Sequence, residues 1–400
     1  MRKILLIGIN ARYSHPCVAL YYLREAVADL DCEIIIEEFT IKNNIHDVER
    51  CIALHNPDAV GFSAYIWNSA IIHDILRLCR IPPDAMIVLG GPEVSYNPDE
   101  WLRTHPNIRY IITGPGEEGF RRLVENKFDA PGRIINSKNP LFFEIPFPYR
   151  DDDFFRFKNK NIYYESSRGC PFRCAYCISS CEDQKLEFRT LDSVERELAC
   201  IMEHSPKLVK FIDRTFNAQP SRARHIWRML IERYPSRETT FHFEMHPLLM
   251  TDEDFDLLRG ARKGLFQFEI GIQSTHPDVL SEIGRNGNWE KEREIIMMLH
   301  KMGNIHLHVD LIAGLPRENV AMLKESFNRV FSLRCDHFQL GTLKLLPGTA
   351  IRNNAEKYGI SYSQQPPYEI IESAWLSREE MAAIKKIARL LDVLHNSRRF

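Results

Sequence analysis

The sequence predicts an α/β protein in which an amino-terminal flavodoxin-like (Rossmann-like), doubly wound parallel sheet is followed by a partial (β/α)6 TIM-type barrel. Two observations predict this class. Apolar runs alternate with amphipathic ones in two series, and an irregular stretch with four prolines lies between them. We predict a first domain over 1–132, a linker over 133–160, a barrel over 161–360 and a helical carboxyl-terminal extension over 361–400 that could begin a further domain.

Five strands and five helices are predicted in the first domain. The strands cover 3–9, 33–39, 58–64, 85–90 and 109–113, and the helices lie near 16–30, 46–55, 68–80, 98–105 and 117–125. Ligands of such sheets bind at the carboxyl ends of the strands, which here are 10–16, 65–68, 90–93 and 114–117. No G-x-G-x-x-G follows the first strand, which disfavours a dinucleotide, and its loop lacks the clustered acids of a response regulator.

The second series predicts six strands, at 162–166, 208–213, 240–246, 265–272, 305–312 and 337–345. Amphipathic helices are predicted between them at 193–204, 221–234, 252–263, 290–302 and 320–332, and the tail from 377 to 400 is predicted as one further helix. Six βα repeats are fewer than the eight that close a barrel. We therefore expect an open barrel that admits a large substrate from the side.

Polar and apolar residues alternate along three of these strands. A period of two places the polar members on one face, and helices outside would leave that face lining the lumen. We therefore predict an active site in the lumen. A histidine here could belong to a metal pair or be a hydrogen-bonded core residue, and we assign no metal. The polar set is His242, Glu244, His246, Gln267, Glu269, Gly271, Gln273, His306, His308 and Asp310.

Cys170, Cys174 and Cys177 form a C-x3-C-x2-C run after the first barrel strand. An iron-sulfur cubane normally takes four thiolates, so three would leave one iron open for a substrate or cosubstrate. A tetrahedral zinc site would need a second cysteine pair. Cys181 is interpreted as a bystander, and the other cysteines occur singly in apolar or amphipathic stretches, which argues against disulfides. Oxygen-sensitive cluster chemistry and free thiols favour the cytoplasm.

Composition argues against nucleic-acid-binding, membrane-spanning and secreted classes of protein. The net charge is −2 with both signs interspersed, so no broad basic field predicts a nucleic-acid partner. No apolar run reaches the roughly 18 residues of a membrane span, so we expect no membrane association. The apolar amino terminus is too short for a signal peptide and has no cleavage site after it.

These motifs resemble the radical S-adenosylmethionine (SAM) superfamily over about 161–359. The resemblance is carried by the three cysteines and by FIDRTFN at 211–217, EIGIQS at 269–274, DLIAGLP at 310–316 and LPGT at 346–349. With LGGPE at 89–93 and GPGEE at 114–118, the chain is similar to the radical SAM enzymes that carry a cobalamin-binding domain.

The resemblance implies that Cys170, Cys174 and Cys177 hold a [4Fe-4S] cluster whose fourth iron binds SAM. Reductive cleavage of SAM would then give a 5′-deoxyadenosyl radical, with the protein positioning and shielding it. The SAM-binding positions implied by the family are Phe172, Tyr176, Asp213, Thr215, Glu244, Gln273, Ser274, Arg285, Ile312, Gly314 and Leu345. The glycine pair often found near the methionine end is absent.

The resemblance further implies cobalamin in the first domain. The positions concerned are Asn10, Tyr65, Trp67, Gly90, Gly91, Pro92, Glu93, Gly114, Gly116 and Glu117. The D-x-H-x-x-G motif of methionine-synthase-like domains is absent from the loop 10–15, which argues against a histidine ligand to cobalt. His15, the one histidine in that loop, is the candidate axial ligand and is disfavoured for the same reason.

The activity expected from the resemblance is radical methyl transfer to an unactivated carbon, with cobalamin carrying the methyl group and the substrate unknown. An external one-electron reductant such as flavodoxin or ferredoxin would supply the electron that reduces the cluster. Alternatives are a cobalamin-linked rearrangement or cyclisation, and a non-catalytic sensor of SAM or cobalamin. A methylthio-transferring relative is disfavoured because the first domain lacks a second set of three cysteines.

Overall fold

The computed structural model describes residues 2–181, 185–235 and 238–397. The chain divides into two compact units, Met1–Ile162 and Tyr163–Phe400. The predicted fold class is confirmed: each unit contains one six-stranded parallel sheet.

The sheet of the first unit contains strands β1 to β6 in the order β2-β1-β3-β4-β5-β6. Its first five strands have the flavodoxin-like order. The sixth is a difference from the prediction, because its three residues lie in the predicted linker and are too few to show an apolar pattern. The bounds are Arg2–Asn10, Cys32–Thr40, Ala59–Ser63, Met86–Gly90, Ile108–Thr113 and Ile134–Asn136.

Helices of the first unit follow the predicted amphipathic stretches, with two short additions. The second helix shows why it begins where it does: Asn44 accepts from the backbone of His46, and Asp47 reaches back to the Asn44 backbone. The helices are Val18–Ala26, Ile45–His55, Ser69–Leu78, Pro92–Ser95, Pro98–Thr104, Gly116–Glu125 and Asp151–Arg156.

The sheet of the second unit is the partial barrel. Its six parallel strands, here called barrel strands one to six, lie side by side in chain order, and each matches a predicted strand. They are Ile162–Tyr164, Leu208–Phe211, Thr240–Met245, Phe266–Gln273, His306–Ala313 and His337–Thr342.

Helices cover the outside of the barrel, and a hairpin and a last helix follow it. Asn396, beyond that helix, pairs with both backbone groups of Phe338 and so satisfies the open edge of barrel strand six. The predicted tail helix is observed as far as Leu391, and residues 398–400 lie outside the described residues. The helices are Leu191–Glu203, Pro220–Arg233, Asp252–Leu258, Pro277–Glu282, Trp289–Met302, Val320–Phe331, Ala350–Asn353 and Arg378–Leu391, and the hairpin strands are Ser361–Tyr362 and Ile370–Glu372.

Candidate active site

The cysteine loop, residues 169–177, follows barrel strand one and is fastened by backbone hydrogen bonds. The Ala175 N–H donates to the Ile283 carbonyl at 2.8 Å, and the Ile351 N–H donates to the Ala175 carbonyl at 3.0 Å. The Ser180 hydroxyl donates to the carbonyls of Cys174 and Cys177. A loop without regular structure therefore has one defined conformation.

Gly169 opens this loop in a conformation that other residues avoid. Its φ is +93°, and a Cβ atom would lie 2.7 Å from the Lys185 carbonyl oxygen. The glycine before the first cysteine is thus required by backbone geometry.

The three predicted cluster ligands are free thiols in this loop. Cys174 is buried, and its Sγ lies 4.0 Å from Nη1 of Arg285. Burial raises the pKa of the Cys174 thiol, and the Arg285 guanidinium opposes that shift. A buried thiol beside a guanidinium, with two further free thiols in the same loop, fits the demand of a metal cluster for thiolate ligands.

Two aromatic residues predicted near SAM lie within the loop. The Phe172 ring stacks on His246, with ring centroids 4.5 Å apart. Burial raises the pKa of the Tyr176 hydroxyl. The alternation of barrel strand three indicated His246 as a lumen residue, but only the structure places it against the cysteine loop.

Thr215 and Asp213 follow barrel strand two but serve different neighbours. The Thr215 hydroxyl lies 3.6 Å from Cys170 Sγ, which places it at the thiols as expected. The Asp213 carboxylate is buried and accepts from Ser166 N–H, Ser166 Oγ and Ser167 Oγ. Burial raises the pKa of Asp213 to about 6. Its position supports the chain entering the cysteine loop, and its predicted contact with SAM stays a prediction that this geometry does not favour.

The two predicted SAM-binding residues at the end of barrel strand four, Gln273 and Ser274, also have different neighbours. Gln273 has φ +69°, and its side chain folds back over Gly271. Arg285 donates to the Gly271 carbonyl, so Gly271, Gln273 and Arg285 lie together near Cys174. Ser274 is fully buried, and its hydroxyl donates to Glu318 at 2.7 Å. Because that hydroxyl already donates to a neighbouring residue inside the protein, the geometry does not favour its predicted role at SAM.

The predicted adenine-lining residues lie on barrel strand five and in the loops after barrel strands five and six. Ile312 is half-buried on that strand, and Gly314 follows it with φ +96°. Leu345 is fully buried, and its backbone N–H donates to Tyr368. Their assignment to the adenine stays a prediction.

The lumen holds a network of ionisable side chains, as the alternation of the strands predicted. Glu269 Oε2 lies 3.0 Å from His242 Nε2, 3.5 Å from Lys210 Nζ and 3.8 Å from His308 Nδ1. His308 Nε2 lies 2.8 Å from Asp310 Oδ1. Lys210 was not among the residues predicted to line the lumen, although its place on barrel strand two follows the same period of two.

The charges in this network shift the pKa values of its carboxyl groups. Burial acts to raise the pKa of Glu269, but the His242 hydrogen bond and the charges of Lys210 and His308 outweigh it and lower that pKa to about 2. Burial and the Glu269 charge raise the pKa of Glu244 to about 7. Perturbed carboxyl groups gathered in a lumen are typical of functional sites.

The first unit carries its candidate site at the carboxyl ends of β1, β3, β4 and β5. Tyr65 and Trp67 stack with ring centroids 4.4 Å apart, and Trp67 is 44% exposed. The Trp67 indole donates to the Ile9 carbonyl at 3.1 Å. An exposed, oriented aromatic pair at a sheet's ligand-binding edge suits a large planar ligand.

Glycine shapes the loop beside this pair. Gly91 has φ +104°, and a Cβ there would lie 2.5 Å from the Ala64 carbonyl oxygen, so the loop after β4 packs directly on the loop after β3. Gly114 also has a positive φ, of +76°. The other predicted residues on these loops are Gly90, Pro92, Glu93, Gly116 and Glu117, of which Pro92 and Gly116 each begin a helix.

Asn10 differs from the expectation for a ligand contact. Its buried side-chain amide donates to Glu38 Oε2 at 2.6 Å, and Tyr21 donates to the other oxygen of the same carboxylate. Its assignment to cobalamin stays a prediction that this geometry does not favour.

Family models match both units. The model "Radical SAM superfamily" matches residues 164–330, and "B12 binding domain" matches residues 4–124. A third model, "Protein of unknown function (DUF4080)", matches residues 356–400. The chain therefore carries a region that matches B12-binding domains, followed by a region that matches the radical SAM superfamily, which is the pair of domains that the sequence predicted.

Two curated relatives are methyltransferases by name. The chain is 24% identical over 99% of its length to the 2-(S-pantetheinyl)-carbapenam-3-carboxylate methyltransferase of Streptantibioticus cattleyicolor, and covers 65% of that protein. It is 23% identical over 90% of its length to the cobalamin-dependent radical SAM methyltransferase TokK of Streptomyces tokunonensis, and covers 58% of it. The chain therefore spans less than two thirds of either relative.

A solved structure shares the fold. The radical SAM methyltransferase TsrM from Kitasatospora setae, with cobalamin and a [4Fe-4S] cluster bound, superposes with a TM-score of 0.72 at 18% identity. The superposition covers 91% of this chain and 78% of TsrM. Among the residues described here, no helix has both the length and the apolar character needed to span a membrane.

Proposed function

We propose that this chain uses a [4Fe-4S] cluster, SAM and cobalamin to transfer a methyl group by a radical reaction to an unactivated carbon. The observation that carries the proposal is the cysteine loop: three free thiols in a fastened loop at the carboxyl ends of the barrel strands. The family match supports the same chemistry.

When bound, the cluster and SAM would supply an electron and a 5′-deoxyadenosyl radical. Cys170, Cys174 and Cys177 would be the iron ligands. Arg285, which lies 4.0 Å from Cys174 Sγ and is buried beside it, would place a positive charge next to the thiolates and attract the carboxylate of SAM. Phe172, held on His246, presents an apolar ring that excludes water on one side of the loop.

Cobalamin, when bound in the first unit, would supply the methyl group. Tyr65 and Trp67 offer it an exposed stacked face, and Gly91 lets the loop after β4 lie close to Ala64. The names of the two curated relatives and of TsrM support methyl transfer as the outcome.

Two other functions stay open. A cobalamin-linked rearrangement or cyclisation would consume SAM without methylating the substrate, and product analysis would distinguish it. A non-catalytic sensor would bind SAM without cleaving it. The ionisable lumen favours a reaction over sensing, because a binding core alone would be filled by branched aliphatic side chains.

We further propose that the electron comes from an external reductant such as flavodoxin or ferredoxin, and that nucleic acid and membrane are not partners. The ten cysteines are all free thiols, which is typical of a reducing compartment, and we propose a cytoplasmic location.

The cluster assignment is tested by anaerobic reconstitution of Cys174→Ala. We expect loss of the cluster's visible absorbance and of 5′-deoxyadenosine formation under reduction, since two thiolates cannot hold a cubane. Cys200→Ala, which removes a single thiol from the helix Leu191–Glu203, is the matched control and should retain both. Deoxyadenosine release by Cys174→Ala at the wild-type rate would refute the assignment.

Cobalamin binding is tested with Trp67→Ala. Losing a stacked aromatic face should weaken binding by roughly tenfold, because such contacts contribute about 1.4 kcal/mol. Titration followed by corrin absorbance measures the affinity. Phe155→Ala removes another exposed aromatic ring of the first unit and should leave it unchanged. No corrin bound by the wild-type protein would contradict the cobalamin assignment while leaving the cluster assignment standing.

A further inference from the structure

The barrel lumen contains ionisable residues from five adjacent strands at nearly the same level. In the strand register, Glu244 pairs with Glu269, Glu269 with His308, and His308 with His337, so these residues form one row across barrel strands three to six. Lys210 pairs with His242 in the neighbouring row. Branched aliphatic side chains normally fill such layers. The row therefore needs an explanation beyond packing.

Three side chains in this region lie close to one another. Glu269, His308 and Asp310 each offer a ligand atom, and the three atoms lie within 4.8 Å of one another. His308 Nε2 and Asp310 Oδ1 are 2.8 Å apart, yet they are not aligned as a hydrogen bond. Metal–ligand bonds of about 2.05 Å would separate two neighbouring ligand atoms by about 2.9 Å in an octahedral site and by about 3.3 Å in a tetrahedral one. A nitrogen and an oxygen at this distance, without hydrogen-bond alignment, can share a cation that takes the place of the His308 proton.

His242 provides a second observation at the same place. It is 2% exposed, its Nε2 lies 3.0 Å from Glu269 Oε2, and its Nδ1 has no hydrogen-bond partner among the described residues. A buried imidazole that holds a carboxylate is the arrangement that orients metal ligands in protein sites. His242 therefore fixes the orientation of the Glu269 carboxylate that would bind the cation.

We propose that Glu269, His308 and Asp310 form a binding site for a divalent first-row metal cation such as Mn²⁺ or Zn²⁺. Two carboxylates and one imidazole are ligands that both ions accept. Three protein ligands leave coordination positions open, which an oxygen or nitrogen of the substrate can occupy. The site is separate from the three cysteines and goes beyond the proposed function.

Lys210 determines how the site would respond to mutation. Its ammonium lies 3.5 Å from Glu269 Oε2 and competes with a cation for that carboxylate. Removing this charge should strengthen metal binding. A site whose carboxylates only recognise a polar substrate group, or only stabilise the fold, gives no reason for tighter metal binding in that variant.

The experiment is a titration of Mn²⁺ into the anaerobic, cluster-loaded protein without SAM, with free Mn²⁺ measured by electron paramagnetic resonance. We expect saturation at one Mn²⁺ per chain, competed by Zn²⁺. His308→Gln and Asp310→Asn should each weaken binding by roughly tenfold or more, and Lys210→Met should strengthen it several-fold. His46→Gln is the matched control, since His46 belongs to a surface group with Glu49 and Cys79 and should leave the stoichiometry and affinity of the lumen site unchanged.

Three results would overturn the proposal: no saturable Mn²⁺ binding, unchanged binding in both ligand variants, or weaker binding in Lys210→Met. Circular dichroism and iron content establish that each variant is folded and loaded. The Cys174→Ala protein separates this inference from the proposed function, because it should lose SAM cleavage and still bind Mn²⁺. A wild-type protein that cleaves SAM but binds no Mn²⁺ would refute only the metal site.

Discussion

Strand β3 of the first unit and barrel strand four of the second differ in how their residues are used. All five residues of β3 are buried, whereas barrel strand four alternates strictly between buried and half-buried residues from Phe266 to Gln273. Helices cover both faces of a doubly wound sheet but only the outer face of a barrel. The first sheet can therefore bind a ligand only through the loops at its edge, while the barrel can also bind one along its strands.

The difference explains where each candidate site lies. In the first unit Tyr65, Trp67 and Gly91 all follow strands. In the second unit the cysteine loop follows a strand as well, but Glu269 and His308 lie within strands and face the lumen.

The largest effect is expected for neighbouring residues on the two faces of barrel strand three. Phe243→Ala should lower the free energy of unfolding by about 4 kcal/mol, because it leaves a cavity in an aromatic cluster with Phe216 and Phe268. Glu244→Gln, one residue on and facing the lumen, should change it by less than about 1 kcal/mol. Chemical denaturation followed by circular dichroism measures both free energies of unfolding. Equal losses in the two variants would contradict the contrast between the packed face and the lumen face of barrel strand three.

The second-largest effect is expected for a glycine in the loops at the ligand-binding edge of the first sheet. Gly91→Ala should cost about 3 kcal/mol, since alanine is strained at φ +104° and its Cβ would clash with the Ala64 carbonyl. Cobalamin binding should fall with it while the cysteine cluster stays intact. Gly132→Ala is the matched control, because nothing lies within 4 Å of a Cβ at that position. Comparable thermal stability of the two variants would contradict the argument.

The smallest effect concerns a buried carboxyl that faces away from solvent in the second unit. Burial raises the pKa of Glu318 from 4.5 to about 8, and its side chain accepts from Ser274. The folded protein then keeps a proton that the unfolded chain releases, so stability falls as pH rises from about 4.5 to about 8. Between pH 5.5 and 7 the wild type should lose about 2 kcal/mol more than Glu318→Gln. Parallel pH dependences would show that Glu318 is ionised in the folded state.

Much of the fold could be predicted because its signals are local. Apolar runs and period-two alternation predicted the first five strands of one sheet and all six of the other, since helices shield each strand in a regular way. Strand β6 could not be predicted, because Ile134–Asn136 is too short to show a period and is a strand only through pairing with β5.

The cysteines of the candidate site could be predicted from the sequence, but the partners of several other site residues could not. Cys170, Cys174 and Cys177 are close in sequence and carry their own pattern, whereas Ser274 and Asp213 share motif positions with SAM contacts but bond to Glu318 and Ser166. A motif indicates which residue types occur together. It does not determine which neighbour satisfies a buried hydroxyl or carboxylate, since that depends on strands far apart in the chain.

The sequence alone determined the two βα series, the three-cysteine run and the polar faces of barrel strands three to five, because these depend on spacing within a few residues. Only the tertiary structure decided that Glu269, His242, Lys210 and His308 meet in one network and that His246 packs on Phe172. These contacts join different strands, and their distances follow from strand register and barrel curvature.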